Sequence, residues 1–245
     1  VVGARYGLPD IGLCSLGEIS AGIRDIMGAT TLPVLIDSDD GYGDVKNVTH
    51  SIRTYERMGA SAIFIEDQVA PKRCGHMAGK DVVPVEVMER KIRAAAAARE
   101  SKDTFLIART DARAVHGLDD ALRRAERYVR AGADGIFVEA PTTVAELERV
   151  GREVQVPQFC NMLTGGLTPI LTNKELYDMG FEMVVHGISL VMRAAKALRD
   201  ALDDIKADRV DYRQGYVSFE EFKEITRFKE WAAVEDEFGG DKRGR

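Results

Sequence analysis

The feature that most constrains the fold is a repeated alternation between short apolar runs and segments with helical character. Each run is rich in residues that favour strands and ends in a polar residue. Six such runs occupy residues 33–37, 62–66, 105–109, 135–139, 157–161 and 183–186. Good helix formers at helical spacing fill the segments between them, as in 84–99 and 118–131. Continuous apolar strands are buried on both faces, which predicts an α/β fold with a parallel sheet covered by helices.

Two architectures contain such a sheet, a doubly wound open sheet and a (β/α)8 TIM barrel. The dinucleotide-binding version of the first carries a Gly-x-Gly-x-x-Gly turn between a strand and a helix, and the sequence has none. Nearly every predicted strand ends in a polar or charged residue, and barrel enzymes place their catalytic groups at the carboxyl ends of their strands. The (β/α)8 barrel is therefore the predicted fold.

Six strands are two fewer than a closed barrel contains. The sequence opens on Val1-Val2-Gly3-Ala4 as if within a loop, and we expect the first two strands to be missing from this sequence. The predicted organisation has three parts. They are an N-terminally incomplete barrel domain at 1–206, a C-terminal helical extension at 207–238 and a disordered tail at 239–245.

The C-terminal part is predicted to be helical and amphipathic. A long helix is expected at 189–206, a polar turn-like segment at 208–217 and a second helical segment at 218–238, where Ser218 and Glu221 form a capping box. The apolar residues of the last segment recur at helical spacing and are Phe219, Phe222, Ile225, Phe228 and Trp231. They either pack within one subunit or dock on a neighbouring one, and the sequence leaves both arrangements open.

Composition and charge exclude several classes of function. Of the 245 residues, 45% are hydrophobic and 30% are charged, as in ordinary globular proteins. The formal net charge of −6 argues against a nucleic-acid partner, because phosphate binding needs a basic surface. No apolar stretch approaches the roughly 18 residues of a membrane-spanning helix. Three cysteines are too few for a disulfide framework, and so we expect a cytoplasmic protein without a membrane partner.

An acidic, glycine-containing cluster follows the first predicted strand. It reads Asp37-Ser38-Asp39-Asp40-Gly41-Tyr42-Gly43, and Glu66 stands at the end of the next predicted strand. Mg²⁺ prefers such hard oxygen ligands and takes one or two carboxylates directly. Acidic groups on neighbouring strands would also repel each other unless a cation lay between them. The cluster is interpreted as a magnesium site, and an acidic turn that caps the following helix is the alternative.

A basic loop around a cysteine follows the second predicted strand. The sequence Lys72-Arg73-Cys74-Gly75-His76-Met77 surrounds a thiol with cations and a histidine, an environment that tunes thiol chemistry. The glycine beside Cys74 permits a mobile loop that closes over a substrate. The alternatives are a zinc site, a cysteine–histidine hydrolase and a basic loop without catalytic function. A zinc site is disfavoured because Cys14 and Cys160 are distant in sequence and no CxxC motif is present.

These motifs together resemble the signature of one enzyme family. Ile65-Glu66-Asp67-Gln68 followed by Lys72-Arg73-Cys74-Gly75-His76 is similar to the signature of the isocitrate lyase / phosphoenolpyruvate mutase superfamily. The likeness is to its short-chain lyases, namely methylisocitrate lyases, 2,3-dimethylmalate lyases, oxaloacetate hydrolases and their relatives. It extends from Gly7-Leu8-Pro9-Asp10 to the C-terminal helices. Members without lyase activity typically lack the Cys-Gly-His loop, which disfavours the mutase branch.

The resemblance implies a role for each matched residue. The implied catalytic residues are Cys74, Lys72, His76 and Arg109. The implied substrate-binding residues are Asp37, Arg73, Gly75, Arg109, Glu139 and Asn161. The implied ligands of the metal or its waters are Asp37, Asp39, Glu66 and Asp10. The cofactor would be Mg²⁺, with Mn²⁺ as the alternative, and the C-terminal helices would be exchanged between subunits of a homotetramer built as a dimer of dimers.

The activity implied by the resemblance is Mg²⁺-dependent cleavage of a carbon–carbon bond in a 2-hydroxy di- or tricarboxylate. Pyruvate or a related keto acid is released, and Cys74 protonates the departing carbanion to give a carboxylate. Leu163 stands where the family has a threonine, and Met192 where it has an arginine. Both differences favour 2,3-dimethylmalate or a 2-alkylmalate over the tricarboxylate 2-methylisocitrate, which stays within the predicted class. Oxaloacetate hydrolysis and a non-catalytic keto-acid-binding barrel are the alternatives.

Overall fold

A parallel sheet of six strands organises the part of the chain that the computed structural model describes, residues 1–209 and 215–239. Each strand is hydrogen-bonded to its neighbours in the sequence, in the order β1-β2-β3-β4-β5-β6. The strands are β1 Leu35–Asp37, β2 Ala62–Glu66, β3 Phe105–Thr110, β4 Gly135–Val138, β5 Gln158–Asn161 and β6 Met183–Val185. All six predicted strands are therefore present.

Helices follow the strands in a repeating pattern. After a π-helical turn at Val2–Tyr6, they are α1 Leu16–Gly28, α2 Val45–Arg57, α3 Val85–Ala98, α4 Ala112–His116, α5 Leu118–Ala131, α6 Val144–Glu153, α7 Asn173–Asp178, α8 Ser189–Lys206, α9 Phe219–Ile225 and α10 Phe228–Phe238. The strand order never reverses within the described sheet, whereas a doubly wound sheet reverses at its switch point. The α/β prediction is confirmed, and the described sheet is an arc of a barrel.

Side-chain caps explain where several helices begin. The Asp44 carboxylate accepts hydrogen bonds from the backbone N–H groups of Lys46 and Asn47 at the start of α2. Thr143 and Thr172 cap α6 and α7 with their hydroxyl oxygens. The caps satisfy N–H groups that have no partner within the helix.

Both faces of the sheet are buried. On the outer face, side chains such as Ile63 and Ile65 pack within the core formed with the helices. The inner face carries a separate cluster of Phe64, Ile107, Phe137 and Phe159. The rings of Phe64 and Phe137 meet edge to face with their centroids 5.8 Å apart. This cluster is an apolar floor beneath the carboxyl ends of the strands.

The chain divides into two units, Val1–Val191 and Met192–Arg245. In the second unit the predicted helical segment at 218–238 is present, but it is divided into two helices, α9 and α10. The break falls at Arg227, whose φ of 54° lies in the left-handed region and cannot continue a right-handed helix.

Other predictions for the C-terminal part have mixed outcomes. Ser218 caps α9 by accepting a hydrogen bond from the Glu221 N–H, which is one of the two hydrogen bonds of the predicted capping box. Residues 210–214 of the predicted turn and 240–245 of the predicted tail lie outside the described residues. Within the ranges 1–209 and 215–239, every helix is too short or too polar to cross a membrane.

Candidate active site

The alternation of side chains along the strands brings five predicted site residues to one edge of the sheet. Successive strand residues point to opposite faces, and the inward positions end in a polar residue near the carboxyl end of each strand. These residues are Asp37, Glu66, Arg109, Glu139 and Asn161. The register places Glu66 of β2 opposite Arg109 of β3. Because the strands are parallel, the five residues share the edge above the inner aromatic cluster.

Arg109 is the centre of this edge. It is buried over the ring of Phe137, with its guanidinium carbon 5.3 Å from the ring centroid. Its Nε and Nη2 donate to the two oxygens of Asp111 at 3.0 and 3.2 Å, and oxygens of Glu66 and Glu139 lie 3.3 and 3.7 Å from Nε. Burial lowers the pKa of Arg109, but the three carboxylates outweigh burial and raise it. Arg109 is therefore a fixed cation that suits an anionic ligand.

Glu66 carries a buried carboxylate without hydrogen bonds. Its side chain is fully buried, and neither oxygen has a hydrogen-bond partner among the described residues. Its 3.3 Å ion pair with Arg109 lacks the geometry of a hydrogen bond. Burial raises the pKa of Glu66 well above its ordinary value. Such a carboxyl group is stabilised by a proton or by an added cation.

The acidic turn after β1 is held close to Glu66. The Glu66 N–H donates to the backbone oxygen of Asp39 at 2.8 Å, and the Asp39 N–H donates to Asp37 Oδ1 at 2.9 Å. Asp39 lies in the left-handed region with φ 46°, which is strained for a residue with a side chain. Burial raises the pKa of Asp39 to about 6, Asp37 adds to the rise, and Lys72 opposes it.

Lys72 joins the acidic turn to the cysteine loop, which comprises residues 72–80. Its Nζ lies 2.6 Å from Asp10 Oδ1 and 2.5 Å from Asp39 Oδ1. Burial lowers the pKa of Lys72, but the nearby carboxylates outweigh burial and raise it, with Asp37 and Glu66 the largest contributors. The predicted catalytic lysine is thus bound among the predicted metal ligands.

The donor set fits a hard divalent cation, although it is no preformed cage. No group of three or more His, Cys, Asp or Glu side chains suited to a metal converges within residues 1–209 and 215–239. Mg²⁺ needs no such group, since it takes one or two carboxylates directly and keeps several waters. In the described site, six carboxylates accompany three buried cations. They are Asp10, Asp37, Asp39, Glu66, Asp111 and Glu139 with Lys72, Lys80 and Arg109. This excess of negative charge and the unpartnered Glu66 oxygens both favour an added cation.

The cysteine loop is folded down onto Arg109. Gly75 is buried so close to Glu139 Oε1 and Arg109 Nη2 that a Cβ at this position would overlap both. Cys74 is half-buried beside it, and the Met77 N–H donates to the Cys74 carbonyl at 2.9 Å to close a tight turn. The absence of a side chain at Gly75 therefore lets the loop contact the arginine.

His76 connects the loop to the end of β4. Its Nε2 lies 3.1 Å from Glu139 Oε1, and its Nδ1 accepts a hydrogen bond from the Leu167 N–H at 3.0 Å. Because Nδ1 accepts, Nε2 carries the proton of the neutral ring and lies next to Glu139. Both ring nitrogens are engaged, so His76 is not available to activate Cys74 as a hydrolase would require.

The loop after β5 closes against the same histidine. A Cβ on Gly166 would press on the His76 ring, and the Gly166 N–H donates to the Leu163 carbonyl at 2.9 Å. Asn161 Nδ2 lies 3.3 Å from His76 Nε2, while Asn161 Oδ1 is buried without a partner among the described residues. A turned amide would place Oδ1 against the Nε2 proton and satisfy both groups.

Arg73 and the remaining cysteines lie away from this interior. The Arg73 side chain is exposed and its guanidinium lies over Gly79, so its substrate contact stays a prediction. Cys14 and Cys160 are buried in the core, and burial raises the pKa of Cys160 to about 12. These positions give no support to the zinc alternative.

Two residues that fix the cysteine loop were not predicted. Gln68 exchanges two hydrogen bonds with the backbone of Arg73, each of 2.8 Å. Lys80 donates to the Gly75 carbonyl and, at 2.9 Å, to Asp111 Oδ1. Gln68 lies inside the quoted motif, but the sequence does not show that its amide faces the loop backbone.

Two further unpredicted residues support the arginine and the acidic turn. Asp111 follows Arg109 by two residues, directly after the end of β3, and this spacing was the available signal. Lys91 of α3 donates to the Asp40 backbone oxygen at 2.7 Å. Nothing in the helical pattern around Lys91 marks it as a buried lysine, because its partner lies 51 residues away.

Comparison with known proteins identifies the family. The family of phosphoenolpyruvate phosphomutase matches residues 1–206. The chain belongs to the phosphoenolpyruvate mutase / isocitrate lyase superfamily. The predicted superfamily membership is therefore confirmed.

Several relatives in this superfamily align along most of the chain. The chain is 43% identical over 242 residues to the petal death protein of Dianthus caryophyllus, covering 97% of this chain and 76% of that protein. It is 37% identical over 237 residues to 2,3-dimethylmalate lyase of Eubacterium barkeri, covering 96% and 82%. It is 41% identical over 194 residues to 2-methylisocitrate lyase of Bacillus subtilis, covering 79% and 64%. The prediction that the chain is an enzyme of the lyase class is confirmed by these lyases.

Solved structures of superfamily members share the fold. A crystal structure of 2,3-dimethylmalate lyase superimposes with a TM-score of 0.90 at 31% identity, covering 99% of this chain and 82% of that one. The structure of oxaloacetate acetylhydrolase with 3,3-difluorooxalacetate superimposes with a TM-score of 0.91 at 26% identity, covering 98% of this chain and 83% of that one. The structure of phosphonopyruvate hydrolase with oxalate and Mg²⁺ superimposes with a TM-score of 0.85 at 29% identity, covering 98% of this chain and 84% of that one. The six-stranded arc thus corresponds to the barrel of this superfamily.

Proposed function

We propose that the protein is a Mg²⁺-dependent carbon–carbon lyase that cleaves a 2-hydroxy dicarboxylate into pyruvate, or a related keto acid, and a carboxylate. The observation that carries the proposal is the closed cysteine loop. Its Gly75, the residue after Cys74, lies against the buried Arg109 and Glu139, which brings the cysteine loop next to this arginine. A proton donor on a closing loop and a fixed cation beneath it are the two parts that such a cleavage needs.

The charges of the site support a metal requirement. A dianionic substrate would be repelled by six carboxylates that face three cations in the described site, unless a divalent cation were added. Asp37, Asp39, Glu66 and Asp10 would hold Mg²⁺, or Mn²⁺ in its place, directly or through water. When bound, the ion supplies Lewis acidity at the hydroxyl and carboxylate of the substrate. The Mg²⁺ in the related phosphonopyruvate hydrolase structure supports this assignment.

Each residue of the candidate site has a separate role in the proposed cleavage. Arg109 binds the keto-acid carboxylate through its guanidinium, and the apolar floor excludes water beneath it. The substrate hydroxyl gives its proton to solvent water as the carbon–carbon bond breaks, the electron pair of that bond stays on the departing carbon, and solvent returns a proton to the Cys74 thiolate after turnover. The Cys74 thiol gives its proton to this carbon, and Lys72, His76 and Arg73 stabilise the negative charge. Glu139 and Asn161 line the rest of the pocket.

The favoured substrates are 2,3-dimethylmalate and 2-alkylmalates. Leu163, in the loop that closes against His76, has no side-chain donor for a third carboxylate. The 37% identity with 2,3-dimethylmalate lyase supports this choice, and the 2-methylisocitrate lyases among the relatives keep the tricarboxylate as the next candidate.

Oxaloacetate hydrolysis is the second candidate function. It is favoured by the superposition with oxaloacetate acetylhydrolase, whose TM-score of 0.91 is similar to the 0.90 of the dimethylmalate lyase structure. In that reaction water attacks the keto carbon, and the same loop protonates the departing carbanion. A keto-acid-binding barrel without turnover is the remaining alternative.

We further propose a cytoplasmic homotetramer, a dimer of dimers in which the C-terminal helices are exchanged between subunits. The large apolar side chains of α9 and α10 support the exchange, since Phe219, Trp231 and Phe238 are 71% to 76% exposed. Such exposure suits an interface with a second copy. Light scattering of the full chain and of a chain ending at residue 206 would test it, because only the full chain should be tetrameric.

One assay separates the candidate reactions. Release of pyruvate from 2,3-dimethylmalate and 2-methylisocitrate, and of oxalate from oxaloacetate, is measured with Mg²⁺ and again with EDTA. The expected result is release of pyruvate from 2,3-dimethylmalate in the presence of Mg²⁺ and no release in the presence of EDTA. Oxalate release without pyruvate release would establish the hydrolase instead, and turnover that EDTA does not affect would contradict the metal-dependent mechanism.

A further inference from the structure

Lys80 is a deeply buried cation within the cysteine loop. Its side chain is 2% exposed, and its Nζ donates to the Gly75 carbonyl and to Asp111 Oδ1. A buried ammonium group is tolerated only where its partners compensate for lost hydration. Here one partner belongs to the loop and the other follows β3, so the lysine spans two parts of the site.

Asp111 extends this contact to the arginine. Its Oδ1 accepts from Lys80 and from Arg109 Nη2, and its Oδ2 accepts from Arg109 Nε. The backbone of Asp111 is itself fixed, because its N–H donates to the buried carboxylate of Asp67 at 2.9 Å. A continuous path of charge-assisted hydrogen bonds therefore leads from the Gly75 carbonyl through Lys80 and Asp111 to Arg109.

The position of Lys80 distinguishes it from Gln68. Gln68 follows the end of β2, bonds the Arg73 backbone, and pairs with Val82 in an isolated bridge, so it secures the base of the loop. Lys80 instead holds the carbonyl of Gly75, next to Cys74, where the loop contacts the site. Loss of Lys80 should free this part of the loop while the base stays bonded.

We propose that Lys80 is a latch, a positioning residue that ties the closed cysteine loop to Arg109 through Asp111. The catalytic importance of this latch rests on the proposed function, in which Cys74 is the proton donor. Its effect on loop closure does not depend on which reaction the enzyme performs.

The rate at which iodoacetamide alkylates Cys74, followed by mass spectrometry without substrate, tests the latch. Lys80→Met removes the ammonium group and retains a long apolar side chain. Lys174→Met is the matched control, because Lys174 is exposed on α7 and pairs only locally with Asp178. Lys80→Arg restores the charge, and the buried Cys14 and Cys160 report any general loosening in the same spectra.

We expect Lys80→Met to raise the alkylation rate of Cys74 by about tenfold or more, since a hydrogen bond from a charged group shifts an equilibrium by about one to two powers of ten. Lys174→Met should leave the rate unchanged, and Lys80→Arg should restore most of the protection. A Cys74 rate within about twofold of wild type in Lys80→Met would overturn the latch, as would a parallel rise at all three cysteines. If Lys80→Met does not fold, Lys80→Gln is measured with the same criteria.

Steady-state kinetics adds a second readout. With the latch removed, kcat should fall about tenfold while KM changes little, because Arg109 still binds the substrate carboxylate. A fall in kcat/KM that comes from KM alone would contradict the latch. If the wild-type enzyme releases no product from any of the tested acids, the proposed function fails while the alkylation rates still decide the role of Lys80.

Discussion

Glu66 lies opposite Arg109 in the register of β2 and β3, and the two side chains form an ion pair at 3.3 Å without a hydrogen bond. Among the described residues, both Glu66 oxygens lack a hydrogen-bond partner, whereas Arg109 donates two hydrogen bonds to Asp111. The Glu66 carboxylate is thus held at the edge of the site, and its oxygens are not hydrogen-bonded to Arg109. This arrangement leaves Glu66 free to interact with an added cation or its waters.

Glu66→Gln should therefore make the metal-free protein more stable and at the same time weaken its use of Mg²⁺. Without metal, removing an unpartnered buried acid should raise the free energy of unfolding by about 1 kcal/mol. The Mg²⁺ concentration for half-maximal activity should rise about tenfold, since one oxygen ligand loses its charge. Urea unfolding in EDTA and Mg²⁺ titration of turnover measure the two effects.

Asp67→Asn is the matched control for that variant. Asp67 is the next residue and equally buried, but it accepts hydrogen bonds from Thr110, Tyr128 and the Asp111 N–H. Its neutral replacement should destabilise the protein by about 1 to 3 kcal/mol. Stability changes of the same sign in both variants would contradict the difference between the two carboxylates.

Gly75→Ala should block loop closure without affecting the fold. The new Cβ would overlap Glu139 and Arg109, so the loop must lift and carry Cys74 away from the substrate. We expect kcat to fall about 100-fold, since a displacement of about 1 Å in a site has that effect, with little change in the unfolding midpoint. Gly28→Ala in α1, where a Cβ meets nothing within 4 Å, should keep full activity. Near-normal kcat in Gly75→Ala would show that the closed loop is not the active form.

Cys74→Ala should remove proton donation and retain binding. Turnover should fall by about 10²- to 10⁴-fold, the usual contribution of a general acid. Pyruvate affinity, measured by calorimetry, should stay within about twofold because Arg109 is untouched. Met77→Ala, an exposed change in the same loop, should leave turnover nearly unaffected. Substantial activity without the thiol would rule out Cys74 as the acid.

Cys160 should make the protein less stable in alkali. Burial, helped by Glu139, raises the pKa of its thiol to about 12, whereas an unfolded cysteine ionises near pH 8.5. The folded state therefore holds its proton while the unfolded state releases it, and this contribution to stability is present below about pH 8.5 and is lost as pH rises toward 12. Between pH 8 and pH 10.5, the free energy of unfolding of Cys160→Ala should fall by about 2 kcal/mol less than that of wild type. Urea unfolding under reducing conditions at the two pH values measures this difference. Equal losses would contradict the shift.

The sheet was predictable because the period of the side chains and the polar residue at each strand end are local properties of the sequence. The break between α9 and α10 was not, since Arg227 adopts a positive φ that glycine or asparagine would have signalled.

In the site, the inward carboxylates and Arg109 were predictable from their positions at strand ends. The ion pairs of Lys72 with Asp10 and Asp39 were not, because they depend on how the cysteine loop folds back over the sheet. Lys80 was missed for the same reason, since its two partners are five and 31 residues away. Long-range pairing of this kind leaves no periodic signal.

The contact of His76 with Gly166 and Leu167 links the cysteine loop to the loop that carries Leu163. A replacement at Leu163 that suits a new substrate would move Gly166, and selection would then act on His76 as well. Relatives of this enzyme should accordingly inherit the two loops as a matched pair. Laboratory evolution toward another diacid would succeed sooner from libraries that vary both loops together than from libraries that vary either one.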